Sequence, residues 1–191
     1  MKKNILLGIA TSLVSSVAWA HPSHGLSNGF VSGFMHPLLG WDHLLMMLAV
    51  GFWAANIGGK TRWQLPLTFV TTMLLGAIIG AAGITFGAVE SIIALGLIAL
   101  GLVLMSTFTM LPTMQFAVTG LFALMHGLAH GVELGQNASL VLPLVGMVLA
   151  TAVLHVLGYS IGLQKHRFLA LVQPLLAGLM LGLGTNLLLS V

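Results

Sequence analysis

Apolar residues run almost unbroken along this 191-residue chain, interrupted by short groups of glycine, proline and charge. After residue 20, six such stretches lie at about 32–55, 65–88, 91–111, 114–133, 139–162 and 168–190. Each is near the ~20 residues that a helix needs to cross an ~30 Å hydrocarbon core. The pattern predicts an all-α fold, a polytopic membrane helical bundle of six transmembrane helices. The links between stretches are short, so consecutive helices are expected to pack antiparallel. A different pattern opens the chain. Lys2 and Lys3 precede an apolar run from Ile5 to Val17, and Ala18-Trp19-Ala20 follows it. Basic, apolar and small-residue segments in that order mark a cleavable secretory signal peptide, with an uncleaved signal anchor as the alternative. The expected organisation is a signal peptide at 1–20 and a transmembrane domain at 21–191.

Composition agrees with a lipid-facing chain. Hydrophobic residues make up 58% and charged residues 5%, with a mean hydropathy of +1.10. That leaves too little polar surface to cover a water-soluble core. The formal charge of +3 rests on six basic residues at loops and the N-terminus, so the high pI gives no case for a nucleic-acid partner. The chain has no cysteine, which excludes disulfides and thiolate metal sites. The few charges also orient the helices. With the mature N-terminus outside, Lys60, Arg62, Lys165 and Arg167 all fall in inner loops, as the positive-inside rule asks. Both termini are then periplasmic or extracellular, and Glu90 and Glu133 sit at outer ends. Trp53 and Trp63 flank the first inner loop, where an aromatic belt belongs. Gly76/Gly80, Gly127/Gly131, Gly158/Gly162 and Gly178/Gly182 repeat at a spacing that permits close helix contact, within one chain or between chains.

Polar residues inside these stretches carry the candidate chemistry, because ionisable groups at bilayer depth are costly and mark functional sites. His36 and His43 lie seven residues apart, on one helical face and about 10 Å apart along the axis. Asp42 adjoins His43. Pro37 disfavours helical geometry at His36, placing it at a helix start or a kink where a free carbonyl could join a site. Gly40 keeps the backbone open between the polar residues. A buried Asp42–His43 structural pair is the plainer reading of this segment. His126, His130 and Glu133 follow at i, i+4 and i+7, one stripe in which two imidazoles can reach one ion. Histidines that meet lipid headgroups would give the same stripe. Imidazole and carboxylate together suit a divalent transition metal. Charge-derived topology puts both groups in the outer half of the bilayer. Of the rest, His155 stands alone about 24 Å along the fifth stretch, either hydrogen-bonded between helices or lining an ion path. His21 and His24 belong to a disordered terminus or to a capture site. Glu90 reads as an exposed helix cap, and the methionines, including Met125, read as apolar filling.

His36-Pro-Leu-Leu-Gly-Trp-Asp-His43 resembles the HPxxGxDH signature of the HupE/UreJ family of nickel/cobalt permeases. Met125-His-Gly-Leu-Ala-His-Gly-Val-Glu133 resembles that family's HGxAxGxE element, with Met125 where many members have an aromatic. The resemblance covers essentially the whole chain. It implies a non-enzymatic secondary permease that moves Ni²⁺ or Co²⁺, ahead of Zn²⁺, across the inner membrane for hydrogenase- or urease-type metalloenzymes. It also implies His36, Asp42, His43, His126 and Glu133 as metal-site residues, while His130 rests mainly on the helical stripe. The expected partners are the divalent ion and the bilayer, with a homo-oligomer or a metalloenzyme-maturation protein as further candidates. The two motifs open two three-helix halves of opposite sense, which suggests an inverted repeat with the site at its interface. Two rivals keep the same donors. One is an intramembrane zinc-dependent hydrolase with a metal-activated water, and the other a metal-binding accessory protein that does not transport.

Overall fold

The computed structural model describes residues 29–106, 110–134 and 140–191. The expected signal peptide, His21 and His24 lie outside the described residues. Among the described residues the chain is entirely helical: α1 (Phe30–Leu39), α2 (Trp41–Ile57), α3 (Thr61–Ala81), α4 (Val89–Met105), α5 (Pro112–Leu134), α6 (Val141–Gly162) and α7 (His166–Ser190). Helices α3, α5, α6 and α7 are each long and apolar enough to cross a membrane, and α1 with α2 passes the same test as one broken span. The chain is thus a multi-pass membrane protein of the all-α class. Helix α4, at 17 residues, is about 25 Å long by helical rise, at the short end of the range for a crossing.

Two expectations about the elements are corrected. The first apolar stretch is not one helix: it breaks at Gly40 and bends by 80°. Pro37 lies inside α1, and the break follows it by three residues. The second stretch ends at Ala81 rather than near 88, because Gly83 adopts φ 86°, a left-handed conformation that stops a helix and favours glycine.

Glycine decides which helices pair. A Cβ on Gly127 would fall 1.9 Å from Met73 O, and one on Gly131 would fall 2.1 Å from Ala77 O. Both glycines therefore admit the α3 backbone, and the rising register of the contacts makes α3 and α5 parallel. Gly51 meets His155 O at 2.2 Å and Gly162 meets Phe52 O at 2.9 Å, so α2 and α6 are parallel as well. Helices α4 and α7 are antiparallel, through Gly101 against Ala177 and Gly184 against Ala94. These three pairs, with α1 laid on α6, make the closest packing in the bundle. The closest packing thus joins non-consecutive helices, two pairs parallel and one antiparallel, while consecutive helices such as α2 and α3 make lesser contact. The close contacts fall within one chain.

The core between the pairs is rich in Met46, Met47, Phe52, Phe69, Met73 and Met147, while Leu67, Leu75, Leu121 and Val156 face outward. Trp63 is exposed and stacks on Tyr159 at 5.3 Å, as a belt residue can. Trp53 is only 8% exposed and belongs to the core, so its expected place in the belt is corrected.

Candidate metal centre

The break at Gly40 builds the first half of the site. As the cap between α1 and α2, Gly40 gives its N–H to His36 O at 3.2 Å, so that carbonyl is occupied rather than free. Helix α1 then runs nearly perpendicular to α2. His36, in the last turn of α1, and His43, in the first turn of α2, come to a ring-centroid separation of 5.4 Å. A continuous helix would hold them about 10 Å apart along its axis. Gly33 fixes the docking of α1, since a Cβ there would meet Pro143 O on α6 at 1.9 Å.

Helix α5 supplies the second half. Its tight seam with α3 aims the His126, His130 and Glu133 stripe at the α1–α2 junction. His130 lies 4.5 Å from His36 and 4.4 Å from His43, and His126 lies 5.1 Å from His43, all between ring centroids. Two overlapping ligand groups result, His36/His43/His130 and Asp42/His43/His126, each with donor atoms within 4.8 Å of one another. His43 belongs to both.

Hydrogen bonding settles which nitrogens face the centre. His43 Nδ1 is 2.7 Å from Asp42 Oδ1, and His126 Nδ1 is 3.0 Å from Phe122 O. With the imidazoles neutral, a carboxylate and a carbonyl only accept, so each Nδ1 carries the proton and each Nε2 keeps its lone pair. Such outer hydrogen bonds are how proteins orient histidine ligands. Nε2 of His43, His126 and His130 is buried in each case and has no hydrogen-bond partner. Buried polar atoms normally find one. These atoms are nitrogen donors without a partner, His43 and His130 in one ligand group and His43 and His126 in the other. Gly40 makes room for the orienting bond: a Cβ there would stand 2.7 Å from His43 Nδ1 and 3.1 Å from Asp42 Oδ1.

Exposure grades across the cluster. Glu133 is 54% exposed, its Oε2 sits 3.8 Å from His36 Nε2, and His36 is 29% exposed. His130 and His126 lie at 2% and 0%. Glu133 stands outside both ligand groups, at the rim. All six residues singled out by motif and stripe thus share one locality. His155 lies apart from it and is buried on α6. Met125 points into a small apolar cluster with Val89, Ile93 and Leu128, away from the histidines. Glu90 sits exposed in the first turn of α4, but the N-cap is Ala88 and no side chain caps the helix, so the expected cap is corrected. Spacing alone did not reveal Phe69, an apolar core residue in a helix without donors, whose ring lies against His126 at 6.2 Å.

A model of the HupE / UreJ protein family matches residues 9–187 of the chain. Protein HupE of Rhizobium leguminosarum bv. viciae is 43% identical over 162 residues, covering 84% of this chain and 82% of that relative. No solved structure matches. The chain belongs to the HupE/UreJ family.

Proposed function

We propose that this member of the HupE/UreJ family is a secondary permease for Ni²⁺ or Co²⁺, working in the inner membrane to supply hydrogenase- or urease-type metalloenzymes. The observation that carries the reading is the cluster of buried, unpartnered imidazole nitrogens contributed by α2 and α5, with the partly exposed His36 of α1 beside them. Borderline divalent ions suit imidazole with carboxylate, and Asp42 and Glu133 offset the charge that desolvation exposes. The protein acts as a carrier, with the metal as cargo rather than catalyst.

The ion enters from the periplasmic side at Glu133 and His36, the most exposed donors of the cluster. It exchanges water for His36, His43 and His130, and then passes to His43, His126 and Asp42. His43 is shared, so the ion keeps one nitrogen while exchanging the others. Steps of this kind keep each site weak enough to release its occupant, which conduction requires. Every mature Lys and Arg lies in the cytoplasmic loops on this orientation, and both termini are periplasmic.

Uptake into proteoliposomes tests the proposal, with nickel, cobalt and zinc compared for wild type and His43→Ala. Accumulation of nickel or cobalt by wild type, reduced about a hundredfold in His43→Ala at equal protein abundance, is expected when a ligand common to both groups is lost. Equal accumulation by the two proteins removes the site assignment. Stoichiometric binding without entry removes the permease reading.

A further inference from the structure

Outside the histidine cluster one buried titratable side chain has no assignment. His155 is 3% exposed, and neither of its ring nitrogens has a hydrogen-bond partner among the described residues. A histidine kept only to join helices would spend at least one nitrogen on a carbonyl, as His126 does on Phe122 O. His155 instead sets its ring edge against Phe69 at 5.1 Å, and the same phenyl ring lies 6.2 Å from His126. Phe69 is fully buried, and its ring adjoins both the first cluster and His155.

The surroundings of His155 suit a soft or borderline cation. Thr151, one turn earlier on α6, has its hydroxyl 3.9 Å from Met73 Sδ, and Met73 is one turn beyond Phe69 on α3. Imidazole, hydroxyl and thioether are thus gathered at the α3–α6 seam, with Thr151 and Met73 both fully buried. Depth fits an onward station. Gly51 of α2 packs on His155 O, and it lies eight residues beyond His43, about 12 Å farther along α2. Phe69 also borders a small apolar void shared with Met46, Val50, Trp53, Thr119 and Phe122.

We infer that His155, with the Met73 thioether and the Thr151 hydroxyl, forms a second station for the transported divalent ion, and that Phe69 is the barrier the ion passes to reach it. The inference rests on the permease reading and extends it past the family motifs, to residues that neither motif contains. The ion leaves His126 and Asp42, the Phe69 ring and its neighbours give way, and His155 receives the cation through a free nitrogen. Hydrophobic constrictions of this kind gate ion paths by excluding water.

The test uses the full chain in proteoliposomes and detergent, with Co²⁺ as the probe. Initial uptake and equilibrium binding are measured for wild type, Phe69→Ala, His155→Leu and His155→Gln, with thermal unfolding of each. The two His155 variants are expected to lose about tenfold in initial rate while affinity at the first cluster stays within about twofold of wild type. His155→Gln preserves bulk and polarity, so it carries the test if His155→Leu fails to fold. Phe69→Ala is expected to raise the rate at least about twofold, and His155→Leu added to it to abolish that gain. Uptake within about twofold of wild type in both His155 variants overturns the second station. An unchanged rate in Phe69→Ala overturns the barrier. If wild type neither binds nor takes up Co²⁺ or Ni²⁺, it is the permease reading that has failed, and a normal wild type beside normal His155 variants isolates the failure to this inference.

Discussion

At Gly40 a single added methyl group would stand 2.7 Å from the nitrogen of His43 that Asp42 holds. Gly40→Ala is therefore expected to break the orienting bond without removing any donor. Losing such a bond costs metal affinity about 10–100-fold, readable by calorimetric titration with Ni²⁺, while thermal stability changes little because Gly40 lies between helices. Glu133→Gln should act more mildly than His43→Ala. Glu133 is half-exposed, so its main contribution is to attract the ion at the rim, and its loss should raise the concentration needed for half-maximal uptake more than it lowers the maximal rate. Acid should also inhibit. An imidazole binds metal only through an unprotonated nitrogen, so uptake is expected to fall as pH drops through the range in which histidines take up protons. Initial rates between pH 7.5 and 5.5, at a fixed membrane potential, check the sign. Residue type and spacing were enough to single out the six residues that the fold brings together, because charge and imidazole at bilayer depth have few other uses. They could not give the distance between His36 and His43, which depends on a bend rather than on a helical period.

Among the elements, glycine is the determinant with the clearest consequences. Gly127 admits Met73 O to the face of α5 and Gly131 admits Ala77 O, so a side chain at either position pushes α3 and α5 apart. His126 and His130 sit beside these glycines on the same helix. Gly127→Leu should therefore cost at least about 1–3 kcal/mol through overpacking and reduce metal uptake together with it. Gly87→Ala is the matched control, since nothing lies within 4 Å of a Cβ there, and its unfolding midpoint should equal that of wild type. The GxxxG-type spacing was plain in the sequence. The partners were not, because a small residue permits close approach without specifying which backbone arrives. The same limit explains Trp53. Its position near a helix end suggests an interface, yet α3, α4 and α5 pack around it through Phe69, Leu100 and Phe122 and bury it.

For the whole molecule, the closest pairs join the first helical segment (α1–α2) to α6, α3 to α5, and α4 to α7. Exchanging the first three segments with the last three maps this set of pairs onto itself, which is what an inverted repeat requires of its contacts. Charge follows the same long axis. Lys60 and Arg62 at the start of α3 and Lys165 and Arg167 before and within the start of α7 are brought to one end, where Trp63 stacks on Tyr159. Glu133 lies at the other end. Because the chain has no cysteine, single introduced cysteines can report orientation directly. Lys60→Cys and Lys165→Cys should react with an impermeant maleimide only from the cytoplasmic side, and Glu90→Cys only from outside; the opposite labelling reverses the orientation.

The sequence by itself determined that this chain lives in a membrane as apolar helices and which side chains could hold a metal. Both follow from local chemistry: the transfer cost of each residue, and the rarity of imidazole and carboxylate within lipid-length helices. The tertiary structure alone decided that the break at Gly40 sets α1 nearly perpendicular to α2, that α5 reaches them through a glycine seam with α3, and that Phe69 adjoins both His126 and His155. Those outcomes depend on backbones meeting across the bundle, and a linear pattern of polarity carries the surface each helix presents but not the surface it finds.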